Sequence, residues 1–115
     1  MVAETMAIGL PDAAIRPLGA VFAGDARIHA VWLYGSRALG RERAGSDIDL
    51  CIEDPTLGLE DLYALEDRID DLLLPWKVGL SLMHKIDDPA LLDHIRRTGI
   101  DLLKVQDNPE TQHPT

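Results

Sequence analysis

Apolar residues recur along this chain at two spacings, and the changes between them mark the elements. From Pro11 to about Ala23, Ile15, Leu18, Val21 and Phe22 fall at helical intervals, and Pro11 suits a first helical turn. Gly24 and Asp25 end that segment. Ile28 to Tyr34 is a nearly unbroken apolar run with Val, Trp and Tyr, the pattern of a strand buried on both faces. Gly35-Ser36 interrupts it, and a short helix is expected there with Ser36 as its cap. A charged, glycine-bearing loop covers Arg41 to Ser46. Asp47 to Glu53 then alternates, with Asp47, Asp49 and Cys51 pointing one way and Ile48, Leu50 and Ile52 the other.

Pro55 and Gly58 mark a turn. Leu59, Leu62, Leu65, Ile69 and Leu72 make an apolar stripe on a helix expected to reach Pro75, with acids on its outer face. Trp76 to Met83 reads as a strand with Val78, Leu80 and Leu82 toward the core. Asp88-Pro89 is a helix start, and Arg96-Arg97 before Gly99 is a helix end. Ile100 to Val105 reads as a last short strand. Alternating helices and strands of this kind predict an α/β (α+β) fold, a small mixed β-sheet flanked by helices. Residues 1–9 read as a lead-in, 10–105 as one domain and 106–115, polar with two prolines, as a flexible tail.

The 115 residues fit one domain, with 46% hydrophobic residues to build its core. That leaves little room for a second domain carrying an acceptor site. The net charge of −9 argues against direct nucleic-acid binding, which needs excess positive charge. A single cysteine, Cys51, permits no internal disulfide and is consistent with a reducing compartment. Without a membrane-length apolar run or a signal-peptide pattern, a cytoplasmic location is expected.

The chemistry concentrates in Gly35-Ser36, ten further residues, and then Asp47-Ile48-Asp49. Glycine allows a sharp bend and close approach to a ligand. The neighbouring serine offers a hydroxyl and a helix cap, both suited to phosphate. Two aspartates two apart on a strand project from one face with Cα atoms ~7 Å apart. They can converge on one hard cation, and Mg²⁺ suits them because it takes oxygen ligands and bridges to phosphates. Arg37 is the best placed of the nearby arginines to meet phosphate; Arg41 and Arg43 read equally well as solvated loop residues. His29, His84 and His94 share no metal-ligand spacing.

The run Leu33-Tyr34-Gly35-Ser36-Arg37-Ala38, followed by Ser46-Asp47-Ile48-Asp49-Leu50, resembles the signature of the DNA polymerase β-like nucleotidyltransferase superfamily. More narrowly, it resembles the minimal nucleotidyltransferases, the MNT type. The similarity continues through Leu74-Pro75-Trp76-Lys77-Val78 and the Asp88 to Gly99 helix, covering about residues 28–103. The resemblance implies that Asp47 and Asp49 are the catalytic metal ligands and that Gly35 and Ser36 contact nucleotide phosphate. It also implies a partner, a HEPN-domain RNase toxin. In such toxin–antitoxin modules the MNT protein is the antitoxin, silencing the toxin by Mg²⁺-dependent transfer of AMP from ATP to a toxin tyrosine.

One departure stands out. The superfamily places a third acid on a neighbouring strand, and the matching position here is Gly79. Three consequences are open: an enzyme of reduced activity, a binding-only antitoxin, or a gap filled by another acid such as Glu53 or one from the partner. The retention of every other motif favours an enzyme. A stand-alone transferase acting on a small molecule is the weaker alternative, because the chain is short for a separate acceptor pocket. The acidic helix after Gly58 reads as a solvated face or as a docking surface for a basic partner.

Overall fold

The computed structural model describes residues 10–35, 37–40 and 47–107. Its elements are α1 (Asp12–Ala23), β1 (Ala30–Tyr34), β2 (Ile48–Glu53), α2 (Leu59–Asp70), β3 (Val78–Leu82), a 3₁₀ turn (Met83–Lys85), α3 (Pro89–Thr98), β4 (Ile100–Asp101) and α4 (Leu102–Asp107). The four strands form one mixed sheet in the order β3-β2-β1-β4. β1 runs antiparallel to both β2 and β4, while β2 and β3 are parallel, joined by the α2 crossover. The expected α/β architecture with helices on a small mixed sheet is what the chain adopts.

The register explains the two faces. Val31 pairs with Ile52 and Leu33 with Leu50, and Ile48, Leu50 and Ile52 lie beside Val78, Leu80 and Leu82. That face packs with Ile15, Leu18, Val21 and Phe22 of α1, with Leu62, Leu65 and Ile69 of α2, and with Leu102 of α4. On the other face Trp32 stands opposite Cys51 and Tyr34 opposite Asp49. α3 packs against β1, and its Ile95 is fully buried outside the main cluster. Asp88 caps α3 by accepting the Ala90 N–H at 2.9 Å, with Pro89 in the first turn, as its sequence predicts.

Four local expectations need correction. The chain after Gly35 makes one turn, with Leu39 N–H on the Gly35 carbonyl at 3.2 Å, and no helix over 37–40; its expected cap, Ser36, lies outside the described residues, as do Arg41 and Arg43. α2 ends at Asp70, short of Pro75, and Leu59 at the head of its stripe is exposed. The last strand spans only Ile100–Asp101, because the Asp101 carboxylate accepts the Leu103 N–H at 3.0 Å and so caps a helix. That helix, α4, continues through Asp107, two residues into the stretch read as tail. No helix among the described residues is long and apolar enough to cross a membrane.

Candidate functional site

The parallel and antiparallel ladders bring three residues of different strands into one row: Tyr34 on β1, Asp49 on β2 and Gly79 on β3. Neighbours in such a row are about 4.8 Å apart. Because Ile48 and Leu50 are drawn into the core, Asp49 is turned to the opposite face, where it is half-buried. Asp47 precedes the strand and is exposed. The Ile48 N–H donates to the Lys77 carbonyl at 2.8 Å, which fixes the backbone between the two aspartates.

The bend at the end of β1 closes over this row. Gly35 adopts φ +82°, and a Cβ there would stand 3.0 Å from Asp49 Oδ2. Both features exclude a side chain. At Gly79 a Cβ would stand 3.6 Å from Asp49 Oδ1, an ordinary contact distance, and the backbone carries no positive φ. Position 79 therefore lies directly beside Asp49, exposed and without a carboxylate.

Burial holds the Asp49 carboxyl above its usual range, and the negative charge of Asp47 adds to the effect. The charge of Asp47 thus acts on the Asp49 carboxyl. A divalent cation would relieve both the repulsion and the burial cost, so the pair fits Mg²⁺ with phosphate and water completing the shell. No cluster of three His, Cys, Asp or Glu able to hold a metal occurs among the described residues.

Two side chains beside the row were not picked out by their sequence context. Tyr34 stands across from Asp49 in the row, and burial, with the nearby Asp49 charge, pushes the pKa of its phenol up. The Ser81 hydroxyl donates to the Leu50 carbonyl at 3.4 Å, and its strand partner Cys51 has its thiol pKa raised by burial. Strand alternation places Ser81 on the Gly79 face, but only the three-strand register puts Tyr34 on the same side of the sheet.

Two expected residues sit differently. Arg37, read as a phosphate ligand in a loop, is 3% exposed, with its guanidinium 6.0 Å from the Trp76 ring centroid. The contact is at the outer limit of a cation–π interaction, and Arg37 is buried two residues beyond the Gly35 bend. Glu53, the candidate substitute for the third acid, lies four residues along β2 from Asp49, ~13 Å away at the strand rise. Its Oε1 accepts the Trp32 indole N–H at 2.8 Å. Glu53 therefore does not reach the slot at Gly79.

Comparison with known proteins bears on the family and the fold. The family profile described as "Polymerase beta, Nucleotidyltransferase" matches residues 18–108. Among solved structures, the fold is similar to a toxin–antitoxin crystallised with AMP-PNP, at 19% identity, 85% coverage of this chain, 79% of that chain and a TM-score of 0.65. It is also similar to a mutant of the toxin–antitoxin MntA-HpeT, at 18% identity, with 89% and 80% coverage and a TM-score of 0.61. A Sulfolobus solfataricus protein described as a candidate nucleotidyltransferase aligns at 17% identity, with 88% and 86% coverage and a TM-score of 0.53. No curated protein matches the sequence.

Proposed function

This chain belongs to the polymerase beta nucleotidyltransferase family, and we propose that it is an antitoxin that transfers AMP from ATP to a tyrosine of a HEPN-domain toxin. The observation that carries the proposal is the half-buried Asp49 carboxylate, held between the Gly35 bend and the Gly79 slot and facing the charge of Asp47. The likeness to a toxin–antitoxin crystallised with AMP-PNP supports both the nucleotide and the class of partner.

Asp47 and Asp49 would hold Mg²⁺. When bound, the ion neutralises phosphate charge and aligns the attacking and leaving oxygens. Gly35 lets the backbone come close to the β- and γ-phosphates, and Ser36 offers its hydroxyl there. The tyrosine oxygen of the partner attacks the α-phosphorus of ATP. The bond to the bridging oxygen breaks, pyrophosphate leaves, and the phenolic proton passes to solvent. The test is a mass measurement on a HEPN-domain protein that binds this chain, after incubation with the purified chain, ATP and Mg²⁺. An increment of one or more AMP units, lost on Asp47→Ala/Asp49→Ala, is expected. An unmodified HEPN protein refutes the transfer.

A second reading, contact inhibition without transfer, is favoured by one observation: the third-acid slot holds Gly79. It requires Asp47→Ala/Asp49→Ala to protect cells from the toxin as fully as the unaltered chain does.

A further inference from the structure

Large apolar side chains left in water gather along one line of α2. Leu59 is 52% and Tyr63 57% exposed, and just past the helix Leu73 is 87% exposed. Leu59, Tyr63, Glu66 and Asp70 are spaced i, i+4, i+7, i+11, a single stripe on a helix. This is not the buried stripe, which is Leu62, Leu65 and Ile69. Nor is it the flank toward α1, where Asp61 accepts from Arg27 at 2.9 Å and the Arg68 guanidinium lies against Gly24.

The stripe instead faces the free edge of the sheet. A cleft of about 220 Å³ runs there between Glu66, Ile69 and Asp70 of α2 and Val78 and Leu80 of β3. β3 is an end strand, paired only with β2. Leu73 adopts φ 55°, a left-handed conformation that costs a leucine steric strain, and still presents its side chain to water.

We propose that this stripe holds a helix of the partner protein, with apolar residues toward both ends and Lys or Arg between them. The partner's identity rests on the function proposed above. The spacing is that of a helix–helix seam, in which side chains of one helix enter the gaps of the other. Glu66 and Asp70, set between Tyr63 and Leu73, call for positive charge opposite. A second copy of this chain, at net charge −9, would bring like charge to the same place, as would nucleic acid or an anionic membrane. Val78 and Leu80, which line the cleft, flank Gly79 on β3, so a partner seated at this edge touches the strand that carries Gly79, on the face of the sheet opposite Asp49.

The test measures the affinity of the full chain for the HEPN-domain partner protein by titration calorimetry at two salt concentrations. Two variants are compared, Leu59→Ser/Tyr63→Ser and Glu66→Lys/Asp70→Lys. All four side chains lie outside the core and the carboxylate site, so both variants should fold and bind Mg-ATP unchanged, checked by circular dichroism and nucleotide titration. Each is expected to bind the HEPN protein at least tenfold more weakly, and the charge reversal should also abolish the loss of affinity with salt. Unchanged affinity in both variants overturns the docking proposal alone. No association of the unaltered chain overturns it together with the partner's identity. A change in the chain's own oligomeric state, read by light scattering, would make the stripe a self-contact and also overturns it. Loss of transfer without loss of affinity on Asp47→Ala/Asp49→Ala leaves the docking surface standing, so the two proposals fail separately.

Discussion

Gly79→Asp puts a carboxylate where the family keeps one, and the geometry gives the size of the effect. The new Cβ would stand 3.6 Å from Asp49 Oδ1, with no other atom within 4 Å and no backbone strain. Without metal, two carboxylates ~4 Å apart repel by about 1 kcal/mol in water and about 4 kcal/mol at an effective dielectric constant near 20. Because position 79 is exposed, the lower half of that range applies, about 1–2 kcal/mol. For a domain of this size, that lowers the melting temperature by roughly 4–12 °C. A divalent cation reverses the sign. A third ligand tightens the site, and occupancy at one hundred times Kd contributes about 2.7 kcal/mol. Thermal melts in EDTA and in Mg²⁺ are the assay. The variant should melt below the parent in EDTA and gain more from Mg²⁺ than the parent does, with AMP transfer rising about tenfold or more. If Mg²⁺ raises both melting temperatures equally, the Gly79 slot is not part of a metal site and the reasoning fails.

Other perturbations probe the same row. Asp49 has its folded-state pKa raised, so its contribution to apo stability is present below the unfolded value of 3.8 and is lost as pH rises through the folded one. In EDTA, urea melts across the acid range should show this pH dependence in the parent and lose it in Asp49→Asn. Gly35→Ala combines a positive φ with a 3.0 Å approach to Asp49 Oδ2 and should cost at least about 1–2 kcal/mol by urea midpoint, together with nucleotide affinity. An unchanged midpoint would show that the bend relaxes freely. Glu53→Gln keeps an acceptor for the Trp32 indole and should leave AMP transfer within about twofold of the parent; a tenfold loss would place Glu53 in the chemistry after all.

Much of this arrangement is legible in the sequence, and its gaps have physical causes. The alternation of Ile48, Leu50 and Ile52 against Asp49 requires only that one face be buried, so it reads directly. The Asp88-Pro89 start of α3 reads for the same kind of reason, because the cap acts within two residues. Leu59 fails because helical periodicity cannot separate a residue facing the core from one on the flank 100° away. Leu102 and Leu103 look like strand residues until Asp101 is seen to cap them, a contest between capping and strand pairing that apolar content alone does not decide. The Tyr34–Asp49–Gly79 row and the burial of Arg37 depend on strand register and on Trp76, residues far apart in sequence, and no local pattern encodes them.

The missing third acid bears on how an acceptor would be chosen. The superfamily resemblance implies an acid at position 79 that helps to activate the attacking hydroxyl. Here the described residues offer no replacement, since Glu53 is committed to Trp32. Under the proposed function, rate must then come chiefly from holding the tyrosine oxygen in line with the α-phosphorus. A well-oriented intramolecular arrangement is worth effective molarities of about 10⁵ M or more. A docked partner has that advantage and a free small phenol does not. Transfer to N-acetyltyrosinamide at millimolar concentration should therefore be undetectable under conditions that modify the HEPN protein, and variants of the α2 stripe should lower kcat/KM for the protein alone. Comparable transfer to the free phenol would mean that the Asp47/Asp49 site activates any hydroxyl that reaches it, and that docking contributes nothing to the choice of acceptor.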